Sequence, residues 1–190
     1  LQKVVDGKPI YYTTYNVDAA KSTRTNHLHQ GGSLGLNLLG QGMKAYVWDG
    51  GVPNKEHQEY DGAGGNNRVS VGDGSSTLNF HAEHVTATIV ASGKVAKAKG
   101  MAPHATAIGN DWNSDTAEAT KAAGQGMILS NHSYGYGASQ IPDYYFGAYI
   151  DVARQWDEIM FNAPNYLAVI AAGNDGENDT ANDKPLSGNR

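Results

Sequence analysis

The sequence predicts an α/β fold in three layers, with helices on both faces of a mostly parallel central sheet. Short apolar runs alternate with amphipathic segments, which is typical of strand–helix–strand units. The run from Tyr166 to Ala172 is apolar without interruption, which favours a central parallel strand buried on both faces. In such sheets functional groups collect beyond the carboxyl ends of the strands.

Each element has a local signal. The longest helix has apolar residues at spacings of three and four, and Pro164 ends it. Ser114 is a favourable N-cap for another helix. Further strands are predicted at Lys44–Trp48, Arg68–Val71, Ala105–Gly109 and Gly126–Ser130, and helices at Val17–Gln30, His81–Ser92, Ser114–Ala123 and Asp143–Asn162. Residues 1–16 are predicted to form an extended arm, and residues 1–190 a single domain.

Composition excludes several classes of function. The chain has 190 residues, a net charge of −5 and no basic stretch, so neither a nucleic acid nor an anionic membrane is an expected partner. No apolar run is long enough to span a bilayer. Cysteine is absent, which removes disulfide scaffolds, thiolate nucleophiles and cysteine zinc sites.

Three segments place a polar side chain where an active site would need it. Asp49 ends a predicted strand, His81 begins a predicted helix, and Asn174 follows the apolar run. An acid, an imidazole and an amide donor make up most of a serine-protease site. An obvious nucleophile is missing.

Simpler interpretations exist for each segment alone. Asp before Gly-Gly is commonly a turn former, and Asn174-Asp-Gly is a turn signal. A metallohydrolase using His81, His84 and Glu83 is an alternative, although the order His-Ala-Glu-His differs from His-Glu-x-x-His. A packed or hydrogen-bonded structural role is the preferred interpretation of His84. Three carboxylates are candidate calcium ligands or a solvated acidic tail: Asp175, Asp179 and Asp183.

Five segments, taken in order, resemble the subtilisin-like serine proteases. Tyr-Val-Trp-Asp-Gly-Gly at 46–51 resembles the family's strand-end Asp motif, and His-Ala-Glu-His-Val at 81–85 resembles its His-Gly-Thr-His-Val. Gly-Met-Ala-Pro at 100–103 resembles its Gly-Val-Ala-Pro turn. Ser-Asn-His-Ser-Tyr-Gly at 130–135 resembles the segment lining the substrate cleft, and Val-Ile-Ala-Ala-Gly-Asn at 169–174 resembles the strand that carries the oxyanion asparagine.

The resemblance implies a subtilisin-like fold and a secreted endopeptidase acting on peptide or protein substrates. It implies that His81 is the base, that Asp49 orients it, and that Asn174 is the oxyanion donor. It also implies that Ser133, Tyr134 and Gly135 bind the substrate backbone. No cofactor is required, and structural calcium is an option in this family.

The chain departs from the family pattern at its nucleophile. No Gly-Thr-Ser-Met-Ala segment is present, and Ser187 in Leu-Ser-Gly-Asn is not nominated. We therefore expect an N-terminal part of a catalytic domain, with an open sheet edge and the serine supplied by polypeptide beyond residue 190. A catalytically inactive peptide-binding pseudo-protease is the alternative. Smaller departures are Gly50 for Thr or Ser, Glu83 for Thr, and the bulky Tyr134, which is expected to narrow or roof the cleft.

Overall fold

The computed structural model describes residues 3–5, 8–10, 16–60, 67–137, 140–174, 180–181 and 184–185. Its strands are β1 Lys3–Val5, β2 Lys8–Ile10, β3 Lys44–Asp49, β4 Val69–Val71, β5 Thr106–Asp111, β6 Leu129–His132, β7 Leu167–Ile170, β8 Thr180–Ala181 and β9 Lys184–Pro185. Its helices are α1 Asn16–Ser22, α2 Phe80–Val90, α3 Asp115–Gly124 and α4 Asp151–Asn162.

Five strands form one parallel sheet in the order β4-β5-β3-β6-β7. The predicted three-layer α/β class is confirmed. Trp48 of β3 lies level with His132 of β6, which lies level with Ile170 of β7. Polar residues that follow these three strands therefore emerge at the same edge of the sheet.

The chain contains two compact units, and the prediction of a single domain stays a prediction. The first unit comprises 1–44, 54–70 and 83–107, and the second comprises 45–53, 71–82 and 108–190. The core of the first contains Tyr60, Val69, Val90, Ala105 and Ala107. The core of the second contains Trp48, Ala119, Ala122, Met127, Ile159 and Tyr166. The predicted protease-site residues all belong to the second unit: Asp49, His81, Ser133, Tyr134, Gly135 and Asn174.

Two predicted helices are shorter than expected because left-handed residues interrupt them. The sequence predicts the last helix from Asp143, whereas α4 begins at Asp151. Gly147 adopts a φ of +74°, which a right-handed helix cannot contain. The sequence predicts that the first helix reaches Gln30, but α1 ends at Ser22, since Arg24 adopts a φ of +62°.

The prediction that Tyr166–Ala172 is a central strand buried on both faces is wrong for the described residues. The strand β7 is at the edge of the sheet, paired with β6, and its side chains Leu167, Val169 and Ile170 are exposed. Within the described part of the chain, no strand pairs with β7 on the side opposite β6.

The predicted arm is partly described. Residues 3–5 and 8–10 are extended and pair antiparallel as β1 and β2, whereas residues 1–2, 6–7 and 11–15 lie outside the described residues. β8 and β9 form a second short antiparallel pair.

Candidate active site

The Asp49 carboxylate is buried at the end of β3. The residue is 2% exposed, and the backbone N–H of Gly50 donates to its Oδ1 at 2.7 Å. Its own carbonyl oxygen accepts from the N–H of Trp112 at 2.8 Å. A buried carboxylate needs such donors, so the strand end fixes both the backbone and the side chain of Asp49.

The Gly-Gly turn after Asp49 is required by its surroundings. A β-carbon at Gly50 would lie 3.0 Å from the Trp112 ring and 3.1 Å from the amide nitrogen of Asn79. Gly51 adopts a φ of +144°, and a β-carbon there would lie 2.4 Å from the carbonyl oxygen of Thr77. Close packing therefore leaves little room for a side chain at Gly50, and the backbone N–H of Gly50 donates to the Asp49 carboxylate.

Asn79, which is not among the predicted site residues, positions both halves of the site. Its Oδ1 accepts from the N–H of His81 at 2.8 Å and of Ala82 at 3.2 Å, which caps the start of α2. Its Nδ2 donates to the carbonyl oxygen of Gly50 at 3.0 Å. An asparagine directly before a helix is a recognisable N-cap signal. One side chain therefore ties the turn after Asp49 to the helix that carries His81.

Asp49 and His81 are in direct contact, as the sequence analysis expected. His81 Nδ1 lies 2.9 Å from Asp49 Oδ1 and 2.7 Å from Oδ2. An ionised carboxylate only accepts, so Nδ1 carries the proton in the neutral ring and Nε2 keeps its lone pair. The His81 side chain is 45% exposed. The geometry therefore gives an oriented base whose free nitrogen is accessible.

Glu83, the departure next to His81, is engaged within the first unit. Its Oε2 accepts from the N–H of Asn54 at 2.6 Å, and its Oε1 lies 3.9 Å from Nδ1 of His57. The neighbouring His84 is exposed, so the predicted packed role is wrong, whereas a hydrogen-bonded structural role there stays a prediction.

The predicted substrate-binding residues follow β6 directly. Ser133 Oγ accepts from Nδ2 of Asn131 at 2.9 Å. Tyr134 donates its hydroxyl to Asp115 Oδ2 at 2.6 Å, and its ring meets Trp112 edge-on at 5.6 Å. Burial and the bond to Asp115 raise the pKa of Tyr134, so it stays protonated.

A cavity of about 500 Å³ adjoins Tyr134 and Gly135. Its walls combine aromatic and aliphatic side chains with one carboxylate. Besides those two residues it is lined by Trp112, Asp115, His132, Tyr136, Val152, Trp156 and Ile170. Tyr134 is thus a wall of this cavity.

Asn174 lies just beyond β7 and is exposed. The N–H of Ala171 bonds the carbonyl oxygen of His132 at 3.0 Å, and Gly173 then turns the chain with a φ of +91°. Since neighbouring strands lie about 4.8 Å apart, β7 is about 10 Å from β3 at this edge. The fold places Asn174 past the same edge as Asp49.

The candidate calcium ligands fall outside the described residues, as does Ser187, which is not nominated as a nucleophile. These ligands are Asp175, Asp179 and Asp183. In the described ranges, no group of three or more His, Cys, Asp or Glu side chains is arranged to hold a metal ion. The helices of those ranges include none with the length and apolar character needed to cross a membrane.

No protein-family model and no curated protein matches this chain. The chemical interpretation of the site therefore depends on its residues and their geometry.

Proposed function

We propose that this chain supplies the acid–base pair and the oxyanion donor of a secreted, subtilisin-like serine endopeptidase. The observation that carries the proposal is the contact between a buried Asp49 carboxylate and Nδ1 of a half-exposed His81. This is the arrangement by which a carboxylate orients an imidazole toward a nucleophile.

In the proposed reaction, Nε2 of His81 removes the proton from a serine hydroxyl as its oxygen attacks the substrate carbonyl. Asp49 stabilises the imidazolium that results, and His81 then gives the proton to the leaving amine. The Asn174 amide donates a hydrogen bond to the oxyanion of the tetrahedral intermediate. The acyl-enzyme is released when water repeats the same steps, and the reaction requires no cofactor.

The proposed substrate is an extended peptide that pairs with the backbone of 133–135. Such pairing adds a strand to an existing edge. Hydrogen bonds to the substrate main chain then give affinity, while adjacent pockets that bind its side chains give specificity. The cavity beside Tyr134 and Gly135 is a suitable place for one substrate side chain. The net charge of −5 agrees with a peptide rather than a nucleic acid or an anionic membrane as the partner.

The serine in this proposal comes from polypeptide beyond the 190 residues. No serine hydroxyl within the described ranges hydrogen-bonds His81. The exposed apolar side chains of the edge strand β7 favour a further strand pairing there, because long apolar sheet edges are normally covered. Calcium binding by the three carboxylates after Asn174 stays a prediction.

A peptide-binding pseudo-protease is the second candidate, favoured by the same lack of a hydroxyl beside His81 in the described part of the chain. The metallohydrolase alternative gains no support from the geometry. Glu83 accepts from the N–H of Asn54, and within the described ranges no group of three or more His, Cys, Asp or Glu side chains is arranged to hold a metal ion.

Peptide hydrolysis by the natural protein that contains this chain separates these candidates. We expect His81→Ala to abolish cleavage and His84→Ala, its exposed neighbour on the same helix, to leave it unchanged. We also expect no effect of 1,10-phenanthroline, which removes zinc but not calcium. Tight peptide binding without cleavage would indicate the pseudo-protease. Equal loss in both variants together with inhibition by 1,10-phenanthroline would contradict the serine mechanism.

A further inference from the structure

A buried chain of hydrogen bonds lies under the predicted substrate segment. The Tyr166 hydroxyl lies 2.5 Å from Ser130 Oγ, which lies 2.7 Å from His132 Nε2. On the other side of the ring, His132 Nδ1 lies 2.9 Å from the Tyr134 hydroxyl, which donates to Asp115 Oδ2 at 2.6 Å. We call these five residues the Tyr166–Asp115 relay.

The hydrogen bonds of the relay run in one direction. Asp115 only accepts, so the Tyr134 proton points to Asp115 and the Tyr134 oxygen accepts from Nδ1 of His132. Burial lowers the pKa of His132 to about 4, against the attraction of Asp115, so the ring is neutral near pH 7. Its Nε2 therefore accepts from Ser130, whose oxygen accepts from Tyr166.

The relay includes a serine bonded to a histidine, but it is not a second catalytic site. Ser130 is 0% exposed, so no substrate carbonyl can reach its Oγ. The His132 ring is stacked on Trp48 with 5.3 Å between centroids and meets Trp156 edge-on at 4.6 Å. A ring that packs against two tryptophans and is hydrogen-bonded at both nitrogens is suited to holding other groups in place.

The end of the relay reaches the substrate segment. Tyr134 sits between Ser133 and Gly135, lines the cavity of about 500 Å³, and is anchored by its hydroxyl to Asp115 at the start of α3. Trp112 holds the same ring from its edge. Without the hydroxyl bonds, the ring could turn within the cavity and change its shape.

We propose that the Tyr166–Asp115 relay fixes the Tyr134 ring as a wall of the substrate cavity, with His132 as the positioning residue. The inference rests on the proposed function, because it takes the 133–135 segment as the place where peptide binds. It predicts that the relay controls the binding of substrate and not the chemical step, since neither Asp49 nor His81 belongs to it.

The test compares Tyr134→Phe with Tyr149→Phe in the natural protein that contains this chain. Both variants lose a hydroxyl that donates to a carboxylate, but the Tyr149 hydroxyl bonds Asp157 at 2.7 Å on the exposed surface, and Tyr149 does not line the cavity. We expect Tyr134→Phe to raise KM for peptide substrates about tenfold, as the loss of one charge-assisted hydrogen bond implies, with kcat unchanged. Tyr149→Phe should change KM less than twofold.

Nitrogen NMR of histidine-labelled wild-type protein gives a second, independent measurement. Proton occupancy of His132 on Nδ1 at pH 7, and a changed Nδ1 signal in Tyr134→Phe, would support the relay. A proton on Nε2, or equal KM values in the two tyrosine variants, would overturn it. If the wild-type protein cleaves no peptide, the proposed function is wrong and so is the positioning role that rests on it. If it cleaves peptides but the two tyrosine variants have equal KM values, only the positioning role is wrong.

Discussion

Two buried carboxylates, one in each compact unit, show how burial can serve structure or chemistry. Glu59 in the first unit is 5% exposed. It accepts from the N–H groups of Gly93, Lys94 and Val95 at 2.8–3.0 Å and from the Ser92 hydroxyl at 3.0 Å. Burial raises its pKa, but these four donors outweigh burial and hold the pKa below its usual value.

Asp49 in the second unit is as well buried but is bonded differently. It accepts one backbone N–H, from Gly50, and shares both oxygens with an imidazole that is half exposed. The donors of Glu59 are fixed by the backbone of one loop, whereas the partner of Asp49 carries a second nitrogen that can exchange a proton with a substrate. Burial alone does not indicate function; the accessibility of the partner does.

The largest expected effect is that of Asp49→Asn on catalysis. An asparagine would no longer hold the proton on Nδ1, so we expect kcat/KM for peptides to fall about 10⁴-fold with little change in the free energy of unfolding. The control is Asp18→Asn, whose exposed carboxylate pairs with Lys21. A fall in kcat/KM of less than tenfold would indicate that Asp49, like Glu59, has a structural role only.

The next effect is that of Asn174→Ala. Removing the proposed oxyanion donor should lower kcat by roughly 10²–10³-fold, while thermal unfolding stays unchanged because the side chain is exposed. An unaltered kcat would show that Asn174 is not the oxyanion donor, and the proposed mechanism would then depend on Asp49 and His81 alone.

His132 is a buried titratable group that, like Glu59, contributes to stability, and its contribution to the free energy of unfolding depends on pH. Its pKa is lowered to about 4 in the fold from 6.5, so the unfolded chain binds more protons between these values. Stability due to the neutral ring is therefore complete above about pH 6.5 and is lost as the pH falls toward 4, by at most about 3 kcal/mol.

Urea unfolding of wild type and His132→Asn at several pH values isolates this contribution. The wild-type free energy of unfolding should fall more steeply below pH 6.5 than that of the variant. Parallel curves would show that His132 titrates normally in the fold.

The smallest effect is that of Glu59→Gln on stability. A glutamine loses the charge and turns an amide toward backbone donors, so we expect a loss of about 2 kcal/mol in the free energy of unfolding at pH 7. Since the pKa of Glu59 is lowered in the fold, this stability is present above the unfolded pKa and disappears as the pH falls through the folded pKa. The kcat/KM of the folded variant should equal that of wild type. A marked fall in kcat/KM would show that Glu59, like Asp49, contributes to catalysis.

The resemblance to a known family implied the Asp49–His81 contact. The rule that the carboxyl ends of parallel strands lie at one edge applies to Asp49, Ser133 and Asn174 but not to His81, which lies at the start of a helix. The sequence patterns did not predict the role of Asn79, because that role depends on its contact with the turn after Asp49, which is distant in sequence. They overestimated the burial of β7, because an apolar run does not reveal whether a neighbour covers it. They also missed that Tyr134 turns its hydroxyl to Asp115, a contact between residues 19 apart in sequence.

Labelling with a fluorophosphonate, followed by mass spectrometry, tests whether His81 activates a serine in the natural protein that contains this chain. We expect one labelled serine, outside these 190 residues, whose labelling rate falls by orders of magnitude in His81→Ala. A serine labelled at the same rate in His81→Ala, or no labelled serine in a preparation that cleaves peptides, would show that His81 does not activate a serine.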